Sequence, residues 1–463
     1  MTLFNSLSRR ELLKSSACGF GYLALANLMA ENSHASSDLL TPKQPHFTPR
    51  AKRVIFIFLA GAPSPMETIE YKPKLYQLDG QRESNTGGTG NNRKYLAPQW
   101  GFKQYGESGR WFSDLLPNMA LHADKFCSIN SLTTDNPSHP QATLQLHTGS
   151  FRFTRPSIGS WILHGLGTEN QELPGFIAIN PIEKVGGTQN YSNAFLSSAY
   201  GATRIGAEGQ NVSEIKINHT SNPRLSNSAQ RRQIDLLGRL HAGRTTKGNA
   251  ETDQQLDSII SSYDLAFRMQ QSIPNLMDLS TETRQTLEDY GIGAAITDDF
   301  GRQCLMARRF AEAGVRFIEI CDPGWDHHTN LRRGLVERTT ATDKPVAALL
   351  ADLQQRGLLE DTLVIWGGEF GRTATAEGID GRDHNIHGYP MLFAGAGVKP
   401  GFTYGATDEL GITAVEKKCH VYDLHATILH ILGLNHEALT YEYGGRSFRL
   451  TDVFGEVLSE VLT

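Results

Sequence analysis

Beyond residue 50 the chain has no apolar run approaching the ~18 residues that a membrane-spanning helix needs, and no cysteine pair at C-x-x-C spacing. The first absence predicts no membrane span once any leader is removed. The second excludes a cysteine-based zinc cluster and a dithiol redox motif. Cysteine is scarce altogether: Cys18, Cys127, Cys304, Cys321 and Cys419 are the full set. Cys304 and Cys321 fall in apolar segments, where a buried thiol is expected rather than a disulfide. An excess of positive charge is also lacking. The formal net charge of −5 argues against a nucleic-acid partner. With 463 residues, the chain is long enough for a large α/β core with insertions.

Before residue 50 the chain reads differently. Ser8-Arg9-Arg10-Glu11-Leu12-Leu13-Lys14 precedes a weakly apolar run, residues 17–30, and then Ser33-His34-Ala35, a small-x-small site. This order predicts a signal peptide over residues 1–35, addressed by its paired arginines to the twin-arginine export machinery. That route carries proteins that fold first, and it predicts a periplasmic or extracellular mature chain. Cleavage would remove Cys18 and leave the chain slightly more acidic. Residues 36–50 are polar and carry Pro42, Pro45 and Pro49, which predicts a linker.

From residue 51 apolar runs alternate with amphipathic segments. Strands are expected at 52–60, 315–321, 363–366 and 391–394, with helices near 299–313, 343–356 and 421–432. The alternation predicts an α/β domain over 51–463 with a parallel, doubly wound sheet. Residues 81–93 are rich in Gly, Asn, Ser and Thr and predict a surface loop. Between 226 and 291 the pattern turns helical, with Thr252 and Gln255 as a capping box and Leu256, Ile259, Ile260, Tyr263 and Phe267 at helical spacing. That stretch holds no concentrated chemistry and reads as a helical insertion.

Chemistry gathers just beyond the strands, where α/β enzymes keep it. Trp325-Asp326-His327-His328 follows one of them. Asp326 and His328 are two apart and would face one way while His327 faces the other. They form a metal-ligand pair, or else a capping aspartate beside surface histidines. After the run at 363–366, Glu369, Arg372, Arg382, Asp383, His384 and His387 crowd into one loop. Asp383 and His384 would be two ligands, or one ligand and the group that fixes its tautomer. Arg372 and Arg382 would hold a tetrahedral anion, or pair with Glu369 and Asp383. Ser138 and His139 precede Pro140 at a predicted helix start, as a nucleophile, an anion contact or a plain cap. Gly61-Ala62-Pro63-Ser64 is a turn that would free Ser64 and Glu67. His425 is expected to pack at a helix start. Mixed carboxylate and imidazole donors suit zinc or manganese.

Several segments together resemble a known family. They include Gly61-Ala62-Pro63-Ser64, Arg155-Pro156-Ser157, Gly324-Trp325-Asp326, Gly367-Gly368-Glu369-Phe370-Gly371-Arg372, Gly381-Arg382-Asp383-His384 and Asp423-Leu424-His425. The mature chain resembles the twin-arginine-exported, sulfatase-like family known as domain of unknown function 1501, in the alkaline phosphatase superfamily. The resemblance implies an alkaline-phosphatase-like, three-layer α/β/α sandwich with a mostly parallel central sheet. It also implies a metal-dependent hydrolase ancestry acting on sulfate or phosphate esters.

Departures from that pattern shape the expected site. The C-x-P-x-R motif of sulfatases is absent, and His139 stands in the place of its cysteine. A formylglycine mechanism is therefore unsupported, and a serine nucleophile leaves only Ser138. Gly61-Ala62 stand where the superfamily places an acid after the first strand, so the nearest acid is Glu67. Phe370 stands where a ligand histidine follows the acid. The expectation is a reduced site, in which Glu67, Asp326, His328, Glu369, Asp383 and His384 hold a divalent ion (zinc, manganese or calcium). Arg372 would hold the anion, with His139 as nucleophile or general acid/base. The substrate would be a sulfated or phosphorylated small molecule or polysaccharide. Two alternatives are a non-catalytic anion- or glycan-binding protein and a hydrolase of another ester class.

Overall fold

The computed structural model describes residues 39–83, 93–215, 225–242 and 250–463. The expected signal peptide, residues 36–38 of the expected linker and residues 84–92 of the glycine-rich stretch lie outside the described residues. The chain divides into two compact units, one of residues 1–39 and 221–264, the other of 40–220 and 265–463. Among the described residues no helix is long and apolar enough to cross a membrane.

The larger unit is built on a nine-stranded sheet. Its strands are β1 (Arg53–Ala60), β2 (Phe126–Thr133), β3 (Phe176–Ile179), β4 (Thr203–Ile205), β5 (Phe317–Pro323), β6 (Thr362–Gly367), β7 (Tyr389–Gly395), β8 (Thr403–Tyr404) and β9 (Cys419–His420). The spatial order is β8-β2-β7-β6-β1-β5-β3-β4, with β9 also beside β2. Only β7 runs antiparallel to its neighbours; the other pairings are parallel. A strand buried on both faces reads as an unbroken apolar run, and every residue of β1 is buried. Ile55, Ile57 and Leu59 join the core that includes Cys304 and Leu305 of α5 (Asp298–Glu312) and Leu349 and Leu353 of α6 (Leu331–Gln355). Phe56 and Phe58 point the other way, where their rings meet His147 of α2 (His139–Thr148). Helices therefore cover both faces of a mostly parallel sheet. The ends of β1, β2, β5 and β6 open on one edge, as this topology requires.

Several local expectations change. Residues 40–50 are no free linker: Lys43 N–H donates to Leu166 O at 2.9 Å, His46 N–H to Gly433 O at 2.9 Å and Arg50 N–H to Ile431 O at 2.8 Å. The residues between the prolines keep their amides, and those amides tie the segment to the larger unit. The helix expected at 343–356 starts at Leu331, because Leu335 and Leu331 anchor a first half whose other positions are largely polar. Thr252 is no N-cap, since α4 (Ala250–Met277) is already helical at Ala250. In the smaller unit, α3 (Asn227–Ala242) carries Arg231, which pairs with Asp235 at 2.7 Å and with Asp264.

Cys127, Cys304, Cys321 and Cys419 are free and buried. Burial pushes the Cys127 and Cys419 thiols up to about 12, which removes them as nucleophiles.

The stretch after β6, expected as a loop, is an antiparallel hairpin of Gly371–Glu377 and Gly381–Asn385. It is pinned by a fully buried ion pair. Arg382 Nε lies 3.0 Å from both Glu67 oxygens, and both residues have 0% exposure. Glu67 sits on α1 (Pro65–Thr68), just past the turn that ends β1. Removing one partner of so deep a pair leaves the other charge uncompensated. Glu67→Ala is expected to cost about 3–5 kcal/mol by leaving Arg382 unpaired, read as a lower urea midpoint. A loss under about 1 kcal/mol would show that the pair does not hold the hairpin.

Candidate metal centre

Four side chains converge at the sheet edge: His139, Asp326, His328 and His384, whose nearest nitrogen and oxygen atoms all lie within 4.8 Å of one another. Asp326 and His328 follow β5, His139 opens α2 after β2, and His384 rides the hairpin after β6. His327 points away, against Gly334 of α6. Two glycines permit the approach. A Cβ on Gly61, at φ +103°, would stand 2.5 Å from the Asp326 nitrogen, and one on Gly381 would stand 1.6 Å from His328 O.

Each imidazole is held by its Nδ1. His139 Nδ1 meets Glu369 Oε1 at 2.5 Å, His328 Nδ1 meets Glu377 Oε2 at 2.5 Å and His384 Nδ1 meets Pro137 O at 2.5 Å. A carbonyl and ionised carboxylates only accept, so each Nδ1 carries a proton, and a ring that holds no second proton turns a lone pair at Nε2 inward. The inward atoms are close. His328 and His384 Nε2 are 2.8 Å apart, and Asp326 Oδ1 lies 3.1, 3.0 and 3.5 Å from Nε2 of His139, His328 and His384. His139 Nε2 is buried, and Asp326 Oδ1 at 3.1 Å is the acceptor it faces.

This arrangement fits a metal ion. Donors ~2.0–2.1 Å from zinc at tetrahedral angles would stand roughly 3.3–3.4 Å apart, and the spacings here bracket that value. Two inward lone pairs 2.8 Å apart repel unless a proton or a cation lies between them. The charges of the side chains also compensate locally. Burial lowers the His139 pKa, but hydrogen bonds and charge from Asp326 and Glu369 outweigh it and lift the ring to about 9. Burial opposes ionisation of Asp326, yet His139, His384 and Arg372 hold it well below the usual carboxylate range.

The remaining expected residues have other places. Glu369 is fully buried behind His139 and also accepts from Gly61 N–H at 3.0 Å, so it supports a ligand rather than joining the four. Glu67 is taken by Arg382. Asp383 pairs with Arg93 at 2.7 Å and groups with Glu377 and the outer side of His328. Arg372 does not present a free fork to an anion. It donates to Asp326 Oδ1 at 2.7 Å, Ala62 O at 3.1 Å, Arg382 O at 3.1 Å and Gly61 O. His139 has Nδ1 on Glu369 and Nε2 facing Asp326, which leaves neither nitrogen free as a nucleophile. Ser138 is exposed at the N-cap of α2, and its side chain makes no capping bond. His387 is exposed and outside the cluster. His425 is buried, with Nε2 donating to Leu146 O at 2.7 Å, a packing role.

Sequence reasoning missed Glu377. It is a lone acid beside Gly378, and only the hairpin register, Glu377 opposite Gly381, brings it to His328. Phe370 also gains a part, its ring 4.7 Å from His139 and 4.5 Å from His384 as an apolar backing for both.

A family model described as "Protein of unknown function (DUF1501)" matches residues 51–462. No curated protein matches the chain. Among solved structures, the alkaline phosphatase of the Antarctic bacterium TAB5 is similar at 12% identity and TM-score 0.35, over 85% of this chain and 100% of that one. The PsFucS1 sulfatase from Pseudoalteromonas sp. is similar at 12% identity and TM-score 0.35, over 90% and 71%. The lipoteichoic acid synthase LtaP from Listeria monocytogenes is similar at 9% identity and TM-score 0.35, over 89% and 79%. These are distant likenesses.

Glu377 gives the centre a test. Glu377→Gln is expected to weaken divalent-metal binding about 10–100-fold, as loss of a carboxylate behind a ligating histidine does, while thermal unfolding of the metal-free protein stays close to wild type. Titration with zinc read by calorimetry measures it, and an unchanged affinity would mean that His328 does not bind metal through Nε2.

Proposed function

The chain belongs to the family described as "Protein of unknown function (DUF1501)", and on that premise we propose that it is an exported, metal-dependent hydrolase of sulfate or phosphate esters. One observation carries the reading: three imidazoles, each gripped at Nδ1, turn Nε2 toward one carboxylate oxygen. His139, Asp326, His328 and His384 would hold the ion. Their nitrogen-rich donor set suits zinc or manganese, whereas calcium prefers oxygen ligands. Bound there, a divalent ion would act as a Lewis acid toward an ester oxygen and make an attacking hydroxyl or water more acidic.

The protein's own residues would do the rest. Arg372 fixes Asp326, and Glu369 and Glu377 fix the orientation of His139 and His328. Asp326 is 42% exposed, so the cluster meets solvent on one side and an ester can approach it. Ser138 is the nucleophile of this reading. Its neighbours Pro137 and His139 both belong to the cluster's support, and its hydroxyl stands at the N-terminus of α2, where backbone N–H groups favour an anion.

A second reading has a specific observation behind it. Arg93, Arg372 and Arg382 around the cluster are all engaged by carboxylates or carbonyls. A protein that keeps the metal and binds anions or glycans without turnover would show the same pairing.

The two readings separate by experiment. The hydrolase should contain near-stoichiometric divalent metal and cleave aryl sulfate or aryl phosphate. Asp326→Ala and His384→Ala should each lower kcat/KM by at least about 100-fold, and Ser138→Ala should lower kcat. Metal without turnover selects the binding protein, and turnover unchanged in both ligand variants would place the chemistry elsewhere.

Export is part of the same proposal, supported by Arg9-Arg10 ahead of the apolar run. Replacing both with lysine should leave an uncleaved precursor in the cytoplasm, seen by cell fractionation. Normal export of that variant would refute the twin-arginine route.

A further inference from the structure

Glu319 interrupts the apolar run of β5 and is fully buried. It stands in register with Phe56 of β1, on the sheet face that α2 covers. There it meets His147, which lies toward the other end of α2 from His139. His147 Nε2 is 3.0 Å from Glu319 Oε1, and both side chains are closed to solvent. The rings of Phe56, Phe58 and Tyr191 stand 5.9, 4.8 and 5.8 Å from the imidazole.

The donors and acceptors here fix a proton count. His147 Nδ1 lies 2.7 Å from Thr143 O, which only accepts, so Nδ1 carries a proton. A bare Nε2 and a bare carboxylate oxygen would then be two acceptors facing each other. One proton between them removes the repulsion, and the pair is neutral whichever atom carries it. Burial opposes charge on this ring, but Glu319 and the Thr143 carbonyl outweigh it and raise its pKa. Burial also keeps the Tyr191 hydroxyl and the Cys321 thiol protonated. These two extend the chain of bonds. Ile182 N–H donates to Tyr191 Oη at 2.9 Å, Tyr191 Oη lies 3.6 Å from Cys321 Sγ, and the thiol donates to Glu319 Oε1 at 3.3 Å.

The rest of α2 has little else to hold it to the sheet. Its buried residues are Ala142, Thr143, Gln145, Leu146, His147 and Thr148, of which only Ala142 and Leu146 are apolar. Among the described residues no other hydrogen bond joins α2 to a strand of the sheet. A buried ion pair is a poor source of net stability, since a well-packed apolar pair in its place is often as stable or more so. What it supplies is direction. α2 opens with His139, and β5 runs on toward Asp326 and His328. A bond between that helix and that strand therefore governs where one member of the cluster stands against two others.

We propose that His147 and Glu319 are positioning residues of the metal centre: the proton they share fastens α2 to β5 and fixes His139 against Asp326 and His328. The inference rests on the metal-binding part of the proposed function and not on ester hydrolysis.

The test uses the mature full-length protein, with zinc titrated by calorimetry and cobalt(II) absorption as the readout of ligand geometry. The double variant His147→Leu/Glu319→Leu replaces the pair by apolar side chains. Its urea midpoint without metal should be at or above wild type, while its zinc Kd rises at least about tenfold and its cobalt(II) spectrum shifts. Glu319→Gln keeps an N–H that can replace the shared proton toward Nε2, and should restore most of the affinity and the wild-type spectrum. A wild-type Kd and spectrum in the double variant would overturn the proposal. So would a loss in Glu319→Gln equal to that in the double variant. A double variant far less stable than wild type would make the pair a stabilising element instead, which also overturns it. NMR of isotope-labelled histidine tests wild type directly: a proton protected from exchange should lie against His147 Nε2, and its absence would refute the shared proton. Failure of wild type to bind zinc or cobalt would sink the metal reading and this proposal together, whereas wild-type binding unchanged in the double variant overturns this one alone.

Discussion

The geometry of the centre depends on where three imidazole protons are held. A histidine side chain left to itself rotates and exchanges tautomers, and three of them near one carboxylate would form a disordered, self-repelling group. Glu369, Glu377 and the Pro137 carbonyl each take one Nδ1 proton and thereby aim one Nε2. The three holders come from different parts of the chain. Glu369 follows β6, Glu377 ends a hairpin strand, and Pro137 lies between β2 and α2. The centre is thus a consequence of a parallel sheet whose strand ends meet on one edge, and its precision is that of the sheet.

Arginine does the second part of the work, and does it structurally. Arg372 spends its N–H groups on the carbonyls that end β1, on the hairpin and on Asp326. Arg382 is spent on Glu67 and on two main-chain carbonyls. A buried, fully engaged guanidinium is worth several kcal/mol to its surroundings if its partner is removed, whereas a partly exposed pair such as Arg93–Asp383 is worth about 0–1 kcal/mol. The buried arginines therefore set the shape of the site and are not free to meet an added anion.

Much of the α/β framework was legible because buried parallel strands leave a distinctive trace. The runs at β1 and β6 are apolar without alternation, β5 is interrupted by the buried Glu319, and each breaks into a glycine-containing turn. The hairpin after β6 was not legible. Its strands carry Arg372, Glu377, Arg382 and His384, residues that read as a loop until their partners are known. The first half of α6 was hidden for a related reason, since Leu331 and Leu335 supply the packing of an otherwise polar stretch. Residues 40–50 looked like a linker because three prolines suggest a chain without ladder bonds, yet the intervening amides are bonded to the larger unit.

The sequence by itself determined which residues can carry charge, protons or a metal, and that they follow apolar strands: Asp326 and His328 after one, Glu369 and His384 after another. It also determined the alternation in the 325–328 loop, because a period of two separates His327 from its neighbours. Only the tertiary structure decided which of those residues share an oxygen atom and which stand behind a ligand. Glu67, Glu369 and Asp383 are carboxylates no different in sequence from Asp326. Pairing with Arg382, His139 and Arg93 is what assigns them to support, because a carboxylate's role is set by the partner that satisfies it. Local sequence spacing does not encode a partner more than 200 residues away.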